Sequence, residues 1–187
     1  MLNFLYHESL AHLHVGCVAP HAYFIPYQSD AAADTCNRAS SDRFESLCGE
    51  WSFHYYPSLC DVPDFTTAAW TGEGAERLDV PMSWQLALGR GYDVPQYTNI
   101  NYPIPVDPPH VPVDNPCGLY ERTFFVDGEE LAAREFRMVF EGVDSCFYLF
   151  VNGEFAAYSQ VSHMTSEIDV TDYLHAGENT LAVLVLK

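Results

Sequence analysis

The chain has 187 residues, 48% of them hydrophobic and 18% charged, which is the composition of a folded domain with a real core rather than a disordered segment. A formal net charge of −18 repels phosphate backbones and argues against nucleic acid or an anionic membrane as partner. No apolar run is long enough to cross a bilayer, and the N-terminal stretch lacks the basic start of a signal peptide.

Residues 1–43 show weak periodicity and few strand signals, and read as an extended arm with one short helical turn near Ala31 to Ala33. The arm carries Tyr23, Phe24, Ile25 and Tyr27, so it must dock on something: a partner surface or its own core. The domain proper is expected over 44–187. Trp51, Phe53 and Tyr55 alternate with Ser52, His54 and Tyr56, a strand with one buried face, and Pro57 ends it. Cys60 to Ala69 is a connection with a helical turn led by Pro63 and Asp64. Leu78 to Val80 is a brief strand stopped by Pro81, and Trp84 to Leu86 a helical turn. Gly89 to Gly118 holds Pro95, Pro103, Pro105, Pro108, Pro109, Pro112 and Pro116 and keeps no period; its prolines make it a stiff loop, and loops of this length are often functional.

Strands then follow closely. Leu119 to Val126 is one, and Glu135 to Glu141 is another, with Phe136, Met138 and Phe140 on one face and a short helical turn between the two. Cys146 to Gln160 is a hairpin. Its Asn152-Gly153 pair suits a type I′ turn, and its first strand is apolar on both faces, so it belongs inside a packed sandwich. Glu167 to Val170, a turn over Thr171 to His175 capped by Gly177, and a final strand Thr180 to Leu186 complete the pattern. Many short strands at close spacing predict an all-β fold, a jelly-roll β-sandwich with an extended N-terminal arm. Because the sequence stops directly after a core strand, it is expected to be a piece of a longer chain.

The six cysteines form no C-x-x-C and read as reduced thiols of a cytoplasmic protein, and His12-Leu13-His14 lacks further ligands at a metal-binding spacing. Glycosidic hydrolysis needs two carboxylates flanking one bond. Glu129-Glu130, Glu141 with Asp144, and Glu167 with Asp169 all sit at turns or strand ends and read as solvated turn residues, so no catalytic residue is assigned. The stiff loop is the better candidate. Sugars are held by amides and carboxylates on hydroxyl pairs and by aromatic rings on the apolar face, and the loop offers Asp93, Asn99 and Asn101 beside Tyr92, Tyr97 and Tyr102. On spacing alone, turn-capping amides and packed tyrosines explain it better.

Gly49-Glu50-Trp51-Ser52-Phe53, Val80-Pro81-Met82-Ser83-Trp84-Gln85 and Tyr97-Thr98-Asn99-Ile100-Asn101-Tyr102-Pro103 come in one order with four further motifs. These are Asn115 to Gly118, Phe140-Glu141-Gly142-Val143-Asp144-Ser145, Val151-Asn152-Gly153 and Ala176-Gly177-Glu178-Asn179. Together they resemble the N-terminal sugar-binding domain of glycoside hydrolase family 2 β-galactosidases. The resemblance implies a jelly roll packed on a TIM barrel, which supplies both catalytic glutamates from a later part of the chain. It implies that Asn99, with Ile100 beside it, contacts the galactosyl hydroxyls, with Tyr97 and Asp93 as secondary candidates. No cofactor is expected within these residues. Mg2+ and Na+ are expected in the full-length enzyme, one ligand being an aspartate beyond the last strand. Partners implied are lactose-like galactosides, the remaining domains of the same chain, and further copies in a homo-oligomer. A stand-alone carbohydrate-binding module and a purely structural assembly domain are the competing readings.

Overall fold

The computed structural model describes Leu2, residues 5–100, Tyr102 and residues 104–187. Nine strands follow in chain order: β1 (His14–Val15), β2 (Gly49–Tyr56), β3 (Glu76–Val80), β4 (Cys117–Val126), β5 (Arg137–Phe140), β6 (Cys146–Val151), β7 (Glu154–Gln160), β8 (Ser166–Asp169) and β9 (Gly177–Leu186). Seven of them make one antiparallel sheet in the order β1-β7-β6-β9-β4-β2-β3, and β5 with β8 makes a second, two-stranded sheet. The result is an all-β jelly-roll sandwich with unequal layers.

The alternation of side chains explains why the central strands are apolar on both faces. From β6, Phe147, Leu149 and Val151 turn into the core under the small sheet, where they meet Met138 and Ile168. Cys146, Tyr148 and Phe150 enter a second cluster on the opposite face. Among the described residues no second sheet covers that face. It is covered instead by Tyr6 and Leu2 of the N-terminal segment and by Leu59, Val62, Phe65 and Trp70 of the connection after β2. All six positions of β6 are therefore buried.

The hairpin turn forms as expected, with φ of 52° at Asn152 and 80° at Gly153. Gly153 is required there twice over, because a Cβ would also stand 2.9 Å from the Thr66 carbonyl oxygen. The turn after β4 is α2 (Gly128–Ala133), started by Asp127, whose carboxylate accepts from the Glu129 and Glu130 amides.

Two expectations change. The helical turn after β2 lies earlier than Pro63: it is a 3-10 turn over Leu59–Asp61, started by Ser58, whose hydroxyl accepts from the Cys60 amide. Val62 precedes Pro63 and is therefore extended, with ψ 120°, which ends the turn there. The arm also contributes a strand. His14 and Val15 pair with Ser159 and Tyr158 on the edge of β7. A two-residue strand carries no readable period, and it is the unpaired edge of β7 that recruits it.

The rest of the arm turns through α1 (Asp30–Ala33) and docks on its own domain through polar contacts. Arg38 reaches Glu141 at 2.6 Å, Tyr23 reaches the same carboxylate at 3.3 Å, and His21 meets Glu167 at 2.9 Å. Tyr23 and Phe24 remain 51% and 66% exposed.

Candidate functional site

The stiff loop between Gly89 and Pro116 has no helix or strand of its own among its described residues, only a bridge from Asp107 to His110. Its C-terminal end is pinned by close packing. A Cβ on Gly118 would stand 2.5 Å from Cε2 of Phe53 and 3.1 Å from Cζ3 of Trp84, so the Asn115 to Gly118 motif ends where only glycine lets β4 lie on the aromatic core. Trp84, Phe53, Tyr92 and Tyr120 form that aromatic group, with ring centroids of Phe53 and Tyr120 4.7 Å apart. Tyr92 is therefore a packing residue.

Beyond Tyr92 the chain leaves the core. Thr98 to Ile100 form a turn, and Asn99 is exposed. Tyr97 and Ile100 are 77% and 79% exposed. The Asn99 side-chain amide donates to the Tyr97 hydroxyl at 2.7 Å, which fixes the amide relative to the phenol ring. Asn99, Ile100 and Tyr97 are thus brought together at the tip of a projecting loop, and Tyr102, 63% exposed, follows them. Asn101 and Pro103 of the same motif lie outside the described residues.

Asp93 is used differently. Its carboxylate, 12% exposed, forms an ion pair with the Lys187 ammonium. A carboxylate already engaged by a cation is a poorer acceptor for sugar hydroxyls than a free one. Sequence reasoning could not have found this partner, because the two residues lie 94 positions apart.

Each acidic pair considered for catalysis has at least one carboxylate held in a structural contact. Glu141 takes Arg38, Glu167 takes Arg137 at 2.9 Å, Glu130 takes Arg134 at 2.9 Å, and Asp169 accepts from Thr171 at 2.7 Å. Among the described residues no group of three or more His, Cys, Asp or Glu could hold a metal ion. The six cysteines are free thiols. Burial pushes Cys117 up to about 12 and Cys146 up to about 11, so neither is a nucleophile at neutral pH.

Sequence reasoning also missed one cluster of ionisable groups. On β4, Glu121 accepts from the Trp70 indole N–H at 2.7 Å and lies 3.8 Å from His54 Nε2 on β2. Burial raises the Glu121 carboxyl above its ordinary range, against the opposing pull of Trp70 and His54. The only signal in the sequence was His54 at an alternate position of a strand, which does not reveal a partner on another strand.

Residues 44–187 match the family described as glycosyl hydrolases family 2, sugar binding domain. The chain is 47% identical over 176 residues to a β-galactosidase of Actinobacillus pleuropneumoniae, covering 94% of this chain and 16% of that protein. It is 42% identical over 188 residues to a β-galactosidase of Staphylococcus xylosus, covering 100% of this chain and 18% of that protein. The chain therefore spans less than a fifth of the length of these relatives. Among solved structures, a β-glucuronidase of Faecalibacterium prausnitzii superposes with a TM-score of 0.57 at 18% identity, over 75% of this chain and 20% of that one. A β-glucuronidase of Bifidobacterium dentium complexed with coumarin-3-O-glucuronide gives 0.54 at 22% identity, over 75% and 19%. At such identities the likeness is one of fold. The family match over most of the chain and the sandwich itself agree: the chain belongs to the sugar-binding domain family of the family 2 glycosyl hydrolases.

Proposed function

We propose that this domain forms one wall of the galactose pocket in a retaining β-galactosidase that removes terminal non-reducing β-D-galactose. The observation that carries the reading is the projecting loop tip, where Asn99 is held by Tyr97 with Ile100 beside it and all three face away from their own core. A polar group held in a fixed pose at the tip of a stiff loop suits a composite site completed by other polypeptide. Asn99 contacts the galactosyl hydroxyls, Ile100 lies against the ring, and Tyr97 orients the amide. The two glutamates come from the rest of the full-length chain. Asp93 acts through Lys187 on the position of the loop rather than on sugar.

The relatives at 42% and 47% identity, both named β-galactosidase, favour galactosides over the glucuronides of the more distant structures. Cys36, Cys48 and Cys60 are exposed free thiols, which suits the cytoplasm. The exposed Tyr23 and Phe24 of the arm, residues 1–43, suit a contact between copies in a homo-oligomer. Mg2+ and Na+ are held by residues outside this domain.

The test is turnover by the full-length protein of matched aryl β-galactoside and β-glucuronide substrates. A clear preference for the galactoside is expected. Preference for the glucuronide, or hydrolysis of neither, removes the reading.

A further inference from the structure

The cover over the second face of the large sheet does more than exclude water: it also ties down the loop that carries Asn99. Its first piece is the 3-10 turn Tyr6–Glu8. The Tyr6 ring lies 5.8 Å from that of Phe155 and 5.5 Å from that of Tyr158, between centroids. His7 is seated on β6. Its backbone amide donates to the Tyr148 hydroxyl at 3.3 Å, and the same hydroxyl stands 2.8 Å from His7 Nδ1. Because the phenol oxygen accepts from the amide, its own proton goes to Nδ1, which requires a neutral imidazole. Burial supplies that condition by lowering the His7 pKa, against the pull of Glu8. Tyr148 is 1% exposed, so the turn is anchored in the core.

Glu8, the next residue, faces the loop. Its carboxylate accepts from the Val111 amide at 3.4 Å, across 103 positions of sequence. Two residues further on, the Val113 carbonyl accepts from the Ser58 hydroxyl. Ser58 in turn accepts from the Cys60 amide at 3.1 Å and starts the 3-10 turn Leu59–Asp61, another piece of the cover. The limb from Val111 to Val113 is thus tied at both ends. Two ties fix its direction, whereas one alone leaves a pivot.

The chain on either side of this limb is folded on itself. The Asp107 amide bonds the Pro105 carbonyl at 3.2 Å, and the His110 amide bonds the Asp107 carbonyl at 2.9 Å. The Asn115 amide bonds the Pro112 carbonyl at 3.2 Å, and Asn115 is buried. Residues 105–115 therefore act as one body, and the tip at Tyr97 to Ile100 is strung between that body and Tyr92 in the aromatic core. Turning the body about Val113 displaces its Pro105 end, and the tip with it.

We propose that Glu8 is a positioning residue for the sugar-binding loop: with His7 seated on Tyr148, it holds the limb at Val111 so that Asn99 is presented in a single pose. The inference rests on the reading of Asn99 as a galactosyl contact and adds the residue that aims it. Glu8 touches no sugar and acts through the backbone of the loop. Ser58 supplies the second tie.

The experiment uses the full-length protein. Hydrogen–deuterium exchange at the Val111 amide reads the contact itself. Glu8→Ala is expected to speed that exchange by at least about tenfold, and Glu8→Gln, which retains a side-chain carbonyl oxygen, by no more than about threefold. In turnover of an aryl β-galactoside, Glu8→Ala is expected to raise KM about threefold with kcat held within about twofold, because a contact made alike by substrate and transition state moves KM alone. Glu8→Gln should restore KM, and Ser58→Ala, which removes the other tie, should give the same split as Glu8→Ala. A purely structural role would instead lower kcat at constant KM through loss of folded protein, and that result overturns the proposal. Unchanged exchange at Val111 in Glu8→Ala overturns it too, as does faster exchange with an unchanged KM. Absence of galactoside turnover in the wild type defeats the sugar reading by itself. Exchange at Val111 is measured without substrate and still decides whether Glu8 holds the loop.

Discussion

The side-chain amide of Asn152 donates to the side-chain oxygen Oδ1 of Asn179 at 2.8 Å, joining the hairpin turn to the start of β9 across 27 positions of sequence. Asn152 also donates to the Tyr173 carbonyl and accepts from the Thr180 amide, while Asn179 bonds His175 and Gly177. Asn179 is fully buried, and its four polar contacts tie His175 and Gly177 to Asn152, which in turn holds the end of the 3-10 turn Thr171–Tyr173.

Removing either amide strands buried backbone groups. Asn179→Ala is expected to cost about 2–3 kcal/mol and Asn152→Ala somewhat less. Because the two share one bond, the double variant should lose less than the sum, by roughly 1 kcal/mol. Urea unfolding of the four proteins checks this, and strict additivity would contradict a shared network.

Gly118→Ala is expected to destabilise by about 1–3 kcal/mol, since its methyl group would meet the Phe53 ring at 2.5 Å and both Phe53 and Trp84 are buried. Thermal unfolding reads the effect. A compensating Phe53→Leu should recover part of it if the clash is the cause.

Glu121 gives a pH signature. Its folded carboxyl lies above its ordinary range, because burial disfavours the charged form, so folding takes up a proton. The group's contribution is full below about the unfolded value and fades as pH rises through the folded one. Relative to Glu121→Gln, the wild type should therefore lose stability as pH increases from 4.5 toward neutrality. Parallel unfolding curves between the two proteins across that range would remove the assignment.

Asn99→Ala in the full-length protein is expected to raise KM for a galactoside roughly tenfold, about 1.4 kcal/mol, as for one lost polar contact. Tyr97→Phe keeps the ring but drops the acceptor of the Asn99 amide, so a smaller rise is expected. Neither should move Tm by more than a degree or two, because both side chains are exposed. A large Tm loss in either would mean that the loop tip packs rather than binds.

Apart from β1, the strands were legible from the sequence because their signals are local. Asn152-Gly153 specifies its turn, alternating apolar residues specify the faces of β2 and β5, and an unbroken apolar run marks β6 as buried on both sides. Wherever a position reports only its own side chain, the reading holds. The motif order around Tyr97 to Ile100 likewise located the loop, and the structure places those residues together at its tip.

What the tertiary structure alone decided are the relations between distant positions. The pairing of Asp93 with Lys187, the burial of Glu121 beneath Trp70, and the use of Tyr6 to cover the second face of the sheet depend on which strands become neighbours. That choice is made by packing over the whole core. No window of sequence contains it, because a side chain carries the same letter whether its partner is water, an ion or another layer of the fold.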